Sequence, residues 1–308
     1  MSPCGMDASL RGRVKRAARW LFCQALLAAE RTAPRCNVVS LLYHRVLLAP
    51  PSTYSVSWVE QRELDEQIAL LKQWGYYLAT GREFCEFAEG KISLPVHSVH
   101  LTFDDGFEDN YHNAFPVLKK HNAPATIFLT TDLISRDVRI RFVSDGWGEA
   151  MPGEVANFEC RFLSEAQIKE MHAWGVTFAS HGRSHKSFCS ISVPELQNEL
   201  LTSQRYIANL LGEAPPFLSY PFGLYSREVV NVVKHCGVRC AFAVKASQNK
   251  VHRDDARFAL PRVGIGTGMP RYMFRSRISS YGLWYDRSQT LWENVGGAAP
   301  GSRRKGSQ

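Results

Sequence analysis

From Asn37 onward, short apolar runs alternate with stretches of helical period. The runs "NVVSLLYH", "YYLAT", "VHSVHLTF", "PATIFLT", "VTFASH", "FLSYPFG" and "CAFAV" read as strands. Between them, "SWVEQRELDEQIALLKQWG" reads as a helix with Ser57 as N-cap and Gly75 as its stop. "LSEAQIKEMHAWG", capped by Ser164 and stopped by Gly175, and "SVPELQNELLTSQRYIANLLG" are the clearest of the other helices. Strand followed by helix, repeated, predicts an α/β protein with a largely parallel sheet or an α/β barrel. In either version the reactive loops lie at the carboxyl ends of the strands. Asp137 to Phe162, with its glycines and Pro152, reads as an irregular excursion.

The ends of the chain differ from its middle. The formal charge is +8, and residues 1–36 with the tail 296–308 account for all of it, so 37–295 is formally neutral. A neutral core argues against a nucleic-acid-binding domain. Three regions follow: a basic N-terminal segment at 1–36, a domain at 37–295 and a basic tail at 296–308 expected to be disordered.

Within the first, "RGRVKRAARWLFCQALLAAERTAP" spaces Val14, Ala17, Ala18, Leu21, Ala25 and Ala28 as one helical face and interleaves Arg13, Arg16 and Arg19. That pattern suits an amphipathic helix on an anionic membrane through residues 11–30, a helix packed on its own protein, or a signal for export. The first places the protein in the cytoplasm at the inner face of the membrane, and the last sends it out. No apolar stretch reaches the roughly 18 residues of a membrane span. The eight cysteines are scattered without a CxxC pair and read as mostly reduced.

Candidate chemistry gathers at the strand ends. Tyr43-His44, Asp104-Asp105-Gly106, His181 and His185 in "SHGRSH", and "YPFG" each follow a predicted strand. One carboxylate and two imidazoles suffice to hold a catalytic zinc with a position open for water, and the second carboxylate is then free to act as a base. A zincin protease is disfavoured, because Gly182 stands where HExxH needs its glutamate and the preceding "VTFAS" is strand-like.

Taken together and in order, these motifs resemble the polysaccharide deacetylases of the NodB-homology type, carbohydrate esterase family 4, from about Val38 to Val263. Thr102-Phe103-Asp104-Asp105-Gly106 corresponds to the family's T-F-D-D-G, and His181-Gly182-Arg183-Ser184-His185 to its H-[ST]-x-x-H, with glycine in the second place. The resemblance implies a distorted (β/α) barrel with fewer than eight strands, preceded here by the amphipathic helix. It implies Asp104 as general base, and Asp105, His181 and His185 as ligands of a divalent metal, usually Zn2+. Tyr220, Pro221, Phe222 and Gly223 would border the substrate and offer backbone N–H groups to an oxyanion.

Two departures stand out. The arginine that opens the family's third motif is replaced by Ser219, with Arg262 in "LPRVGI" as the candidate substitute and a further candidate for substrate contact; an ordinary structural ion pair is the other reading of Arg262. The late L-x-x-H motif that supplies an acid is not evident, since "VVKH" falls in a predicted helix and His252 lacks the leucine. The early Tyr43-His44 is similar to a branch that includes exopolysaccharide deacetylases, which makes His44 a candidate acid or transition-state stabiliser.

The expected function is metal-dependent hydrolysis of an N-acetyl or other small N-acyl group on an amino sugar of a surface polysaccharide or its lipid-linked precursor. Alternatives are a catalytically impaired saccharide-binding protein on the same barrel, and an iron oxygenase with two histidines and a carboxylate, in which the second aspartate has no role. Trp147, Trp284 and Tyr285 suit either sugar stacking or a core or lid.

Overall fold

A computed structural model describes residues 8–32, 37–50, 57–143, 146–149, 158–213, 215–244, 253–280 and 282. The tail 296–308, His252, Trp284 and Tyr285 lie outside them. The chain forms two compact units, one of Val38–Gly268 and one of Met1–Asn37 with Met269–Gln308.

α1 (Ala8–Thr32) is followed by β1 (Asn37–Tyr43), β2 (Arg45–Leu47), β3 (Trp58–Glu60), α2 (Gln61–Gln73), β4 (Tyr77–Ala79), α3 (Gly81–Ala88) and β5 (His97–Phe103). A single wide helical turn at Asn110–Ala114 leads into α4 (Phe115–His121) and β6 (Ala125–Leu129). Then come β7 (Asp137–Val143), β8 (Gly146–Glu149), β9 (Phe158–Arg161), α5 (Glu165–Trp174), β10 (Thr177–Ser180) and α6 (Val193–Leu211). β11 (Phe217–Ser219), α7 (Arg227–His235), β12 (Cys240–Ala243), β13 (Leu260–Gly264) and α8 (Arg271–Ile278) complete the order.

Seven strands stand in the order β1-β13-β12-β11-β10-β6-β5, β5 also pairs with β1 to close the ring, and β4 lies along the start of β5. The register is parallel, with Ser40 opposite Arg262, Phe178 opposite Ile127 and Phe103 opposite Ile127 on its other side. This is the distorted (β/α) barrel with fewer than eight ring strands. Such strands are buried on both faces, which is why they read as continuous apolar runs rather than alternating ones.

Phe84, Phe128, Phe217 and Phe242 fill one core cluster with Cys85, Ala179 and Cys240. Two of these, Phe84 and Cys85, come from α3, so a helix helps to plug the barrel. A second cluster joins Leu218, Ala241 and Ala243 of β11 and β12 to Leu196 and Leu200 of α6 and to Val229, Val230 and Val233 of α7. Fully burying each large side chain contributes about 1.5–3 kcal/mol.

α5 follows the expected signals: Ser164 Oγ accepts from the Gln167 N–H, and Gly175 ends the helix. The start of α2 does not. Residues 58–60 pair as β3 with β2, so the helix begins after Glu60, whose N–H donates to the Glu63 carboxylate at 2.9 Å, and Ser57 is not the cap. Nor is the excursion wholly irregular, because β7 pairs antiparallel with both β8 and β9.

In the smaller unit α1 packs with α8. Ser276 Oγ donates to the Cys23 carbonyl at 3.4 Å, and the Ser280 N–H donates to Glu30 at 2.8 Å. Among the described residues no helix is long and apolar enough to cross a membrane.

Candidate metal centre and active site

Four strand ends bring the polar residues together. Asp104 and Asp105 follow β5, where the Asp104 N–H donates to the Tyr43 carbonyl at 3.0 Å and ties this turn to the end of β1. Asp105 takes a φ of +78°, a conformation that costs a non-glycine residue about 1–2 kcal/mol, and it is buried. Gly106 follows at +80°, and a Cβ there would meet Leu129 Cδ2 at 2.8 Å. The strained turn sends the two carboxylates in different directions.

Asp105 Oδ1 lies 3.4 Å from His181 Nε2 and 3.2 Å from His185 Nε2. One donor atom from each of the three buried residues falls within 4.8 Å of the others. Neither Asp105 oxygen receives a well-aligned hydrogen bond, so a buried anion is left between two ring nitrogens. The donor set fits a divalent cation such as zinc. Burial would raise the Asp105 pKa, but the His181 and His185 imidazoles hold it far below the usual carboxylate range.

The histidines are oriented from behind. His181 Nδ1 is 2.9 Å from the Ser219 carbonyl, an acceptor only, so that nitrogen carries the proton and Nε2 faces Asp105. The loop to His185 turns on Gly182, at φ +81°, where a Cβ would press to 3.1 Å of Phe188 Cε1. A Glu199 oxygen then accepts from the Arg183 and Ser184 N–H groups at 2.8 and 2.9 Å, and its other oxygen accepts from Ser184 Oγ at 2.7 Å. Glu199 was not foreseen from sequence. Its signal was there, a charge beside the apolar positions Leu196, Leu200 and Ile207 on the buried face of α6.

Asp104 is held differently. Arg262 Nη1 donates to Oδ1 and Nη2 to Oδ2, each at 2.7 Å, and Ser219 Oγ donates to Oδ2 at 3.2 Å. Arg262 Nη2 also reaches Ser219 Oγ at 2.7 Å, Nη1 reaches Thr102 Oγ1 at 3.2 Å, and Nε donates to the Ala243 carbonyl at 3.3 Å. The Arg262 side chain has 0% exposure and so sits behind Asp104, facing away from any ligand in the mouth. Burial pushes the Asp104 pKa up, but the charges of Arg262 and His181 outweigh it and keep the carboxyl below its ordinary value.

His44 sits at the same end, half-buried, and lowers the pKa of both carboxylates. Its Nδ1 is buried with no hydrogen-bond partner among the described residues, while its backbone carbonyl accepts from Asn110 Nδ2 at 2.9 Å. Asn110 is itself fully buried at the first position of the wide turn.

The "YPFG" turn separates into parts. Tyr220 is buried with its hydroxyl donating to the Phe258 carbonyl at 3.0 Å, so its side chain does not reach the mouth. The Tyr220 N–H serves the Phe242 carbonyl and the Gly223 N–H closes the turn on Tyr220. Pro221 has no N–H, and the Phe222 N–H takes part in neither bond. The Phe222 ring is 43% exposed and stands edge-on to His185, with centroids 4.6 Å apart.

The sequence profile described as "Polysaccharide deacetylase" matches residues 91–241, the stretch holding the aspartates and histidines just placed. The chain belongs to the polysaccharide deacetylase family. It is a hydrolase of carbon–nitrogen amide bonds. The deacetylase is 28% identical over 247 residues to the poly-beta-1,6-N-acetyl-D-glucosamine N-deacetylase of Staphylococcus epidermidis, covering 74% of this chain and 78% of the relative. Among solved structures, IcaB from Ammonifex degensii shares 26% identity with a TM-score of 0.61, over 79% of this chain and 95% of that one. The Streptococcus pyogenes deacetylase PplD, solved with acetate, superposes at a TM-score of 0.64 with 23% identity, over 79% of this chain and 98% of that one, and shares the fold.

Proposed function

We propose that this deacetylase hydrolyses the N-acetyl group of an amino sugar, within a surface polysaccharide or its lipid-linked precursor, using Zn2+ held by Asp105, His181 and His185. The observation that carries this reading is a buried carboxylate orphaned between two imidazoles, beside a second carboxylate gripped by arginine. A divalent metal, when bound, lowers the pKa of a water and polarises an amide carbonyl.

The chain's own residues do the rest. Asp104, kept ionised and fixed by Arg262 and Ser219, accepts the proton of the attacking water. The Phe222 N–H, which neither turn bond uses, donates to the oxyanion, and its exposed ring offers a face to a sugar. Breaking the carbon–nitrogen bond requires a proton on the departing amine, and His44, at this strand end and with no partner for its Nδ1 among the described residues, supplies it. The products are acetate and the free amino sugar.

The saccharide-binding alternative rests on two departures, the missing arginine and the missing late histidine. The Arg262 guanidinium on Asp104 answers the first, because a protein that only binds sugar has no use for a fixed base, and the second leaves the proton donor to His44.

The test is incubation of purified protein with N-acetylated glycans and lipid-linked sugars, before and after chelation and zinc return. Acetate release that disappears with chelation and recovers with zinc supports the proposal. Sugar binding without acetate release at saturating zinc would replace it with the binding-protein reading.

A further inference from the structure

α1 carries two unlike faces. Along one run Arg19, Phe22, Cys23, Leu26, Leu27 and Glu30, which are half-buried or, for Cys23, fully buried, on the side that packs with α8. Along the opposite side Val14, Ala17, Leu21, Ala25 and Ala28 recur at spacings of three and four and are all exposed, Val14 at 54% and Leu21 at 61%. Trp20, also exposed at 46%, and Arg13 border this stripe, and Arg16 is exposed on the side of Cys23.

An apolar stripe of this length left in water gains nothing for the fold. Its charge setting says what covers it. Between Ala8 and Ala29 the sequence carries five basic residues and no acidic one; of the two acids that flank it, Asp7 and Glu30, Glu30 is engaged by Ser280 on the packed side. The helix is too short of apolar residues to cross a bilayer. A second copy would set arginine against arginine. An anionic lipid surface takes the apolar stripe into its acyl boundary, the tryptophan at its interface and the arginines among its headgroups.

We propose that the Val14–Ala17–Leu21–Ala25 face of α1 lies on anionic phospholipid and holds the deacetylase at a membrane surface. Its failure would leave the hydrolytic reading standing, since acetate release from a soluble oligosaccharide reads that separately.

The experiment is sedimentation of the full chain with vesicles of phosphatidylcholine alone, and of phosphatidylcholine mixed with phosphatidylglycerol. Binding is expected to the mixed vesicles and not to the neutral ones, and to weaken as salt rises. Leu21→Asp should weaken it about tenfold or more, and separately Arg13→Gln about fivefold, while acetate release from soluble oligosaccharide stays unchanged. Leu21→Ala, which leaves no charge behind, should weaken it in the same direction. Absence of binding, equal binding to both vesicles, or undiminished binding by the variants would overturn the proposal. So would light scattering that shows a dimer split by Leu21→Asp, which would assign the face to a second copy.

Discussion

Arg262 grips both carboxylate oxygens of Asp104 at 2.7 Å each, across 158 positions of sequence. The fork-shaped guanidinium fixes the carboxylate plane as well as its charge, which a point charge such as lysine does not. Arg262→Lys is therefore expected to lower kcat by about 10²-fold with metal content retained, and Arg262→Met to destabilise the fold by about 3–5 kcal/mol by stranding a buried charge. Steady-state kinetics, metal analysis and urea unfolding check these. The acid limb of the pH profile should also move up in Arg262→Lys, because the lowered Asp104 pKa depends on that contact.

Ser219 touches the centre twice, through chemically separate atoms. Its hydroxyl bridges Arg262 and Asp104, and its carbonyl orients His181. Ser219→Ala removes only the hydroxyl, so kcat should fall severalfold, for the loss of about 1 kcal/mol, while zinc affinity stays put. Titration with a zinc indicator alongside turnover separates the two.

Glu199 holds the His181–His185 loop without touching Asp105. Glu199→Ala should lower zinc affinity about 10–100-fold, as outer hydrogen-bond partners of metal ligands commonly do. For the unaltered protein, zinc at about a thousand times its Kd should add about 4 kcal/mol to stability, read as a higher melting temperature that chelation reverses.

His100 is a buried imidazole outside the metal centre. Its ring is packed against Phe84 and Phe242, Thr126 Oγ1 lies 2.9 Å from Nε2, and burial with the Arg262 charge pushes its pKa down to about 3 from 6.5. Between those values the unfolded chain binds a proton that the folded chain refuses, so stability falls as pH falls, by about 1.4 kcal/mol per pH unit. His100→Gln should flatten that dependence, measured by denaturant unfolding from pH 6.5 downward.

Much of the barrel was legible in the sequence because fully buried parallel strands leave unbroken apolar runs and their helices carry ordinary caps, as at Ser164 and Gly175. The aspartates and histidines were legible because each follows such a run. What failed depended on pairing across distance. Ser57 lost its role as a cap because β3 forms only when β2 is present to pair with it, and the excursion 137–162 gained strands the same way. Arg262, grouped from sequence with the residues that border substrate, takes its meaning from a ring that sets β13 near β5, which no local pattern contains.

In the proposed reaction Asp104 moves the proton while Asp105, His181 and His185 hold the metal. Measuring zinc content and acetate release together on Asp104→Asn tests it most directly. Full zinc occupancy with turnover reduced by about 10²–10⁴-fold is expected. Undiminished turnover in that variant, or loss of zinc along with activity, would contradict it.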